Sequence, residues 1–238
     1  MNYFNIYKHQ GDSTVFCYRS GNMVYEEAFE KGALIACGWN SAGYPLNVLT
    51  NCPTHIDRKK YMEPFSFNIE IDGQSVDFGL QYEDFNTEKN EDNIISVLTL
   101  NSTIKPVEIK IYTLLDGTQM LTRWIEIENL SNEQLNISRI SVISGALETM
   151  DVSDYNTDKG IEDYYSTGYF YDDRWGNEGL FKWNTLHPGN TSVDGRFTRN
   201  RFRHPLIFIK NNLLGKIWFA QLGWSGGYSF NIDYNAKK

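Results

Sequence analysis

The sequence predicts an all-β fold, a sandwich or barrel of mostly antiparallel strands with few short helices. Strand-like runs follow one another at near-regular spacing along the 238 residues. Turn-forming Asp-Gly pairs separate β-prone runs, and few windows have the period of a helix. A chain of this length can form one large β domain with a sizeable core.

Short strands separated by turns are predicted for the N-terminal quarter of the chain. They are residues 2–8, 14–19, 32–39 and 46–50, the last within a long connection broken by prolines. After Pro64, apolar and polar residues alternate up to Ile71, which predicts a half-buried strand. Asp72-Gly73 predicts a turn before a strand over 76–82, and the acidic run 84–93 predicts a solvated loop.

The clearest hairpin signal lies in the middle of the chain. Asp116-Gly117 separates predicted strands 107–115 and 120–128, which follow a strand at 94–100. On 120–128, one face carries Leu121, Arg123, Ile125 and Ile127. Further strands are predicted at 135–147, 164–171, 205–210, 216–224 and 228–234. A strong strand so near the last residue predicts a larger protein cut before this domain ends.

Composition excludes several classes of function. The net charge of −8 argues against binding nucleic acid, because neutralising phosphates requires clustered Lys and Arg. No apolar run approaches the ~20 residues that span a membrane, and no signal peptide is visible. Cys17, Cys37 and Cys52 form neither a disulfide framework nor a zinc pattern. We therefore expect a cytoplasmic protein without membrane, metal or cofactor.

The stretch 168–183 differs most from ordinary scaffold, because aromatic residues, an acidic pair and an Arg crowd together. Aromatic rings beside carboxylates and a guanidinium suit a sugar, which has apolar patches and many hydroxyls. The predicted substrate-binding residues are Asp172, Asp173, Arg174, Trp175 and Trp183. The alternative is an aromatic mini-core in which a carboxylate pairs with the Arg. Catalysis by the adjacent acids is disfavoured, because neighbours in a strand point to opposite faces.

Several motifs give the chain a resemblance to a known family. Arg174-Trp175-Gly176-x-Glu178 is followed by Leu186-x-Pro188-Gly189, and later by Gly215-x-Ile217-x-Phe219 and Gly223-Trp224-Ser225-Gly226. In this order, within a β-rich chain, they resemble the N-terminal domain of family 36 glycoside hydrolases. The match is best over residues 166–228.

The resemblance implies a large β-sandwich of the supersandwich type. In the family, this domain precedes a catalytic (β/α)₈ barrel on which two Asp residues carry out retaining hydrolysis, mainly of α-galactosides. A barrel of ~250 residues does not fit beside these strands, so residues 1–238 are expected to be the N-terminal domain alone. The implied partners are the barrel of the same polypeptide, an α-galactoside and further copies in a homo-oligomer.

Two departures from the family limit the resemblance. Lys182-Trp183-Asn184 is similar to the family's nucleophile motif, but it has an amide where a carboxylate must attack. We also expect this motif in a loop of the β domain, not at the end of a barrel strand. Residues 199–205 are rich in Arg where the family commonly has Ser and Asn before Pro, which puts galactose in doubt as the sugar.

Three hypotheses follow from the sequence. The first is a non-catalytic N-terminal domain of an α-galactosidase-like glycoside hydrolase, which packs on the barrel and can lend the 172–175 loop to the substrate pocket. The second is a free-standing carbohydrate-binding β-sandwich that uses Trp175 and Trp183 as its platform. The third, an enzyme whose β domain acts alone, is disfavoured because no nucleophile is evident.

Overall fold

The structure is a computed structural model. It describes residues 3–11, 13–43, 64–145, 147, 164–171, 175–176, 178–196 and 203–234. Within these ranges the fold is all-β, every strand pair is antiparallel and no residue is helical, so no helix here could cross a membrane. The chain divides into two compact units, Met1–Thr149 and Met150–Lys238.

The described residues of the first unit form eleven strands in three sheets. They are β1 (Phe4–Gln10), β2 (Thr14–Ser20), β3 (Met23–Glu30), β4 (Ala33–Asn40), β5 (Asn68–Ile71), β6 (Gln74–Ser75), β7 (Leu80–Lys89), β8 (Ile94–Ser102), β9 (Val107–Leu115), β10 (Thr122–Asn129) and β11 (Ile137–Ser141). Their sheet orders are β1-β2-β3-β4, β10-β9-β8-β7 and β11-β5-β6.

One hydrophobic cluster joins the three sheets of the first unit. It includes Phe16 of β2, Ile69 of β5 and Leu98 of β8, all at most 1% exposed. The alternation of β9 explains how the strands reach it, because Val107, Ile109, Ile111, Thr113 and Leu115 are buried while their neighbours are half-buried. Alternate residues of a strand point to opposite faces, so one face of this sheet forms the core.

In the second unit, the part that the structure describes contains six strands in two sheets. They are β12 (Tyr165–Phe170), β13 (Phe181–Thr185), β14 (Gly189–Gly195), β15 (Leu206–Asn211), β16 (Ile217–Gln221) and β17 (Tyr228–Tyr234). The four-stranded sheet has the order β13-β12-β15-β16, and β14 pairs with β17.

Most sequence-predicted strands are confirmed, and the Asp72-Gly73 turn is too. Asp72 and Gly73 both have positive φ angles, of 50° and 74°, as a two-residue hairpin turn requires. The predicted loop over 84–93 is wrong, because β7 continues through Lys89. The predicted strand over 135–147 is too long, since β11 ends at Ser141. The strand predicted at 46–50 lies outside the described residues.

Candidate functional site

The predicted sugar-binding residues fall partly within the described structure. Asp172, Asp173 and Arg174 lie outside it, so their binding role stays a prediction. Trp175 begins a turn with Gly176, and its side chain is fully exposed. Trp183 lies in the middle of β13 and is 44% exposed. Both predicted tryptophans are therefore accessible, and of these two only Trp183 stands on a strand.

Gly168 determines how the Trp183 side chain lies. Gly168 is directly opposite Trp183 in the pairing of β12 with β13. A Cβ atom on Gly168 would lie only 2.9 Å from Cε3 and Cζ3 of Trp183, and 2.5 Å from Cζ of Phe181. The two rings thus occupy the space that a side chain would fill, and the indole leans across β12. A glycine inside a strand often marks such a close approach.

Aromatic rings form a row on this face of the four-stranded sheet. Gly168 is opposite Phe208 of β15, and Phe208 is opposite Phe219 of β16. Directly opposite residues share a face, so Trp183, Phe208 and Phe219 line one side of the sheet. The ring centroids of Trp183 and Phe208 are 6.2 Å apart, and those of Phe208 and Phe219 are 6.1 Å apart. We call these three residues the aromatic row.

A row of polar residues runs beside the aromatic row on the same face. Ser166 of β12 is opposite both Thr185 of β13 and Lys210 of β15. The Lys210 ammonium lies 6.0 Å from the Trp183 ring centroid, and Asn212 donates a hydrogen bond to Ser166 Oγ at 2.9 Å. Thr185, Ser166 and Lys210, the polar row, thus bring two hydroxyls and an ammonium next to exposed aromatic carbon.

The opposite face of this sheet is more buried. Thr167, Ile207 and Asn211 are each at most 4% exposed. Tyr165 contacts Tyr234 of β17 edge-on, with ring centroids 5.2 Å apart. One face of the sheet therefore contributes to the packing of the second unit, and the other carries the aromatic and polar rows.

The sequence Lys182-Trp183-Asn184 is part of strand β13, which corrects its predicted place in a loop. Alternation turns Asn184 away from Trp183, and its Oδ1 accepts a hydrogen bond from the Tyr171 hydroxyl at 3.0 Å. The Lys182 ammonium lies 5.4 Å from the Tyr171 ring. The two polar residues of the motif therefore contact Tyr171 on the other face and form no constellation with Trp183.

A second cluster of chemically active groups lies in the core of the first unit. Glu27 of β3 accepts hydrogen bonds from Tyr18 at 2.7 Å, from Arg123 Nη1 at 2.9 Å, from Tyr25 at 3.3 Å and from Ser66. The side chains of Glu27 and Arg123 are 0% and 2% exposed. The carboxylate is enclosed by donors and shielded from solvent, so it is not accessible to a substrate.

The two tyrosines and the arginine that surround Glu27 all have raised pKa values. Burial, followed by the Glu27 charge, raises the pKa of Tyr18 and of Tyr25, so both hydroxyls stay protonated. Burial alone would lower the pKa of Arg123, but Glu27 and the two tyrosines outweigh it and the pKa is raised. The cluster is a buried ionic cross-link between β3 and β10.

The described ranges contain no cluster of potential metal ligands, and the Cys17 thiol is not activated. No three His, Cys, Asp or Glu side chains there are grouped as metal ligands. Cys17 is a buried thiol, and burial raises its pKa to about 12. A thiol with so high a pKa is a poor nucleophile near neutral pH.

Sequence reasoning found Trp183 but missed the residues around it. Thr185 was detectable in principle, because it follows Trp183 by two positions and so shares its face. Ser166 is opposite Thr185, 19 residues further along the chain (185 − 166), and opposite Lys210, 44 residues further along (210 − 166). No local pattern predicts such pairings.

With this geometry in place, the fold can be compared with known proteins. Solved structures that it matches are α-galactosidases of glycoside hydrolase family 36. The chain is thus similar in fold to part of these enzymes, which confirms the resemblance at the level of fold. It spans only about 36% of their length. No protein-family model and no curated protein matches the sequence.

Three structures illustrate the likeness. AgaB from Geobacillus stearothermophilus matches 97% of this chain with a TM-score of 0.65 at 14% identity, and 36% of AgaB is covered. The galactosidase domain of the α-galactosidase-sucrose kinase AgaSK matches 96% with a TM-score of 0.68 at 13% identity, and again 36% is covered. The α-galactosidase from Lactobacillus brevis matches 93% with a TM-score of 0.65 at 12% identity, with 34% covered.

Proposed function

We propose that this chain is the N-terminal β-supersandwich domain of an α-galactosidase-like glycoside hydrolase and is not itself catalytic. The observation that carries the proposal is the fold match, which covers 97% of this chain and only 36% of an α-galactosidase. A sandwich arrangement is supported by the cluster that joins both four-stranded sheets of the first unit. The enclosed Glu27 supports a non-catalytic role.

In this proposal the domain packs on a catalytic (β/α)₈ barrel of the same polypeptide, within a cytoplasmic homo-oligomer. The loop with Asp172, Asp173, Arg174 and Trp175 reaches the pocket where the barrel binds an α-galactoside. The exposed indole of Trp175 supports that role, because such a side chain has its whole surface available for contact. Chemistry belongs to two Asp residues of the barrel.

Hydrolysis of nitrophenyl α-galactoside tests the proposal. The natural reading frame should continue into a barrel, and the resulting polypeptide should release nitrophenol, whereas residues 1–238 alone should not. Replacing Asp172 and Asp173 by Asn in the longer polypeptide should raise KM if the loop contacts the sugar. A stop codon directly after Lys238, or hydrolysis by residues 1–238 alone, would contradict the proposal.

A free-standing carbohydrate-binding β-sandwich is the second candidate. It is favoured by Trp183, which is 44% exposed on a strand instead of being packed in a core. This candidate requires a chain that ends without a barrel and still binds free sugar.

A further inference from the structure

We propose that the exposed face of the β13-β12-β15-β16 sheet binds an oligosaccharide laid across the strands, with the aromatic row beneath its rings and the polar row beside them. The proposal deepens the proposed function, on which it rests only for the choice of α-galactosides as ligands. Binding itself is a property of residues described here and can be measured on this chain.

The Trp183 side chain lies in a position that suits stacking on a sugar ring. Because Gly168 has no side chain, the indole leans over β12, and 44% of it remains exposed. The C–H groups of a pyranose ring are slightly positive, whereas the face of an aromatic ring is slightly negative. An indole held across a strand by glycine is therefore a preformed surface on which a sugar ring can stack.

The aromatic row is longer than one sugar ring. Trp183, Phe208 and Phe219 come from three different strands, and successive centroids are 6.2 and 6.1 Å apart. Phe219 is 49% exposed, so the row stays accessible at the end far from Trp183. A single pyranose cannot contact both ends of such a row. The geometry therefore favours a chain of sugars over a monosaccharide.

The polar row supplies hydrogen-bonding groups beside the aromatic row. Neighbouring residues on one face of a strand are two positions apart, so Thr185, Ser166 and Lys210 border the aromatic row on β13, β12 and β15. On β16 the apolar Ile217 continues this line beside Phe219. Hydroxyls and an ammonium can exchange hydrogen bonds with sugar hydroxyls. In the described part of the chain, the Lys210 ammonium is placed against the Trp183 ring and not against a carboxylate. Apolar and polar strips side by side match a sugar, which has both kinds of surface.

Calorimetric titration of this chain with stachyose and with methyl α-galactoside tests the proposal. Stachyose should bind about tenfold or more tightly than the monosaccharide, since only it can span the row. Trp183→Ala should weaken stachyose binding by about tenfold or more. Phe219→Ala should weaken stachyose binding but leave any monosaccharide binding unchanged, a difference that general loss of folding would not produce.

Two further variants separate stacking from other effects. Gly168→Ala should weaken stachyose binding although no contacting side chain is removed, because the added Cβ displaces the indole. The control is Trp124→Ala, which removes a tryptophan of the first unit that stacks on Tyr112 at 4.9 Å. It should leave binding unchanged. Circular dichroism of each variant should match that of the parent chain.

The proposal is overturned if stachyose does not bind, or if it binds equally well to Trp183→Ala. Self-association that Trp183→Ala abolishes, without sugar binding, would also overturn it and assign the face to protein contacts. These outcomes differ from failure of the proposed function. A barrel-containing polypeptide that hydrolyses nitrophenyl α-galactoside while this chain binds no stachyose refutes the sugar-binding face alone.

Discussion

The two units of this chain treat their most distinctive side chains in opposite ways. In the first unit, the Glu27–Arg123 ion pair is almost completely buried and surrounded by hydroxyl donors. In the second, Trp183 and Phe219 remain nearly half exposed on a sheet face. Burial of charge and exposure of aromatic rings both oppose the usual partition of residues. In the first unit, the buried charges thus cross-link two strands. In the second, the exposed aromatic rings stay on the surface, where a ligand can contact them.

Breaking the ion pair should have one of the two largest effects. Arg123→Ala leaves the buried Glu27 without its ion-pair partner, so the free energy of unfolding should fall by about 3–5 kcal/mol. Urea denaturation followed by circular dichroism measures this change. The control is Lys110→Ala, which removes an exposed ammonium 2.7 Å from Glu108 and should change stability little. Equal small effects of both substitutions would mean that the Glu27–Arg123 pair is accessible to water.

Truncating one phenylalanine in each unit should have very different effects on stability. Phe16 is fully buried, and its ring centroid lies 4.7 Å from that of Phe85. Phe16→Ala should therefore lower the free energy of unfolding by about 3–5 kcal/mol. Phe219 is half exposed, so Phe219→Ala should lower it by about 1 kcal/mol or less. The same denaturation measurement applies to both. A large loss for Phe219→Ala would show that its ring belongs to a packed core.

The smallest expected effect concerns a surface carboxylate of the first unit. The pKa of Asp72 is lowered, first by the hydrogen bond from the Asn136 N–H and then by Lys105 at 3.1 Å. A lowered pKa in the folded state stabilises the protein above the unfolded pKa, and this contribution is lost as the pH falls through the folded value. Asp72→Asn should therefore flatten the dependence of stability on pH in the acid range.

Asn is a suitable replacement because it tolerates the positive φ of 50° at this position. Unfolding curves between roughly pH 5 and pH 2 for the parent chain and the variant provide the measurement. Parallel curves would contradict a lowered Asp72 pKa.

Strands with a strong local pattern were predictable from sequence. Strands β9 and β17 have the predicted bounds, because alternation and turn residues define them. Strand β7 was missed beyond Tyr82 because residues 84–89 are mostly polar. As an edge strand it exposes most of these side chains, and its pairing with β8 makes it a strand.

The candidate site was predictable only in part. Trp183 was identified from the local crowding of aromatic residues, but its polar neighbours depend on strand pairings far apart in sequence. Arg123 was predicted on the same face as Ile125, and Ile125 does pack against the core. Its partner Glu27 lies 96 residues away, so neither pattern nor propensity could indicate the ion pair.

In two described strand pairs of the second unit, an aromatic ring lies over the glycine opposite it. Trp183 lies over Gly168 and Tyr228 over Gly195, where a Cβ atom would lie 2.3 Å from the tyrosine ring. The glycine and the aromatic residue opposite it can therefore be substituted only together. A larger residue at the glycine becomes tolerable only after the aromatic residue opposite it shrinks. We expect the two positions of each pair to covary among relatives of this chain, with small and large residues exchanging places across the strands.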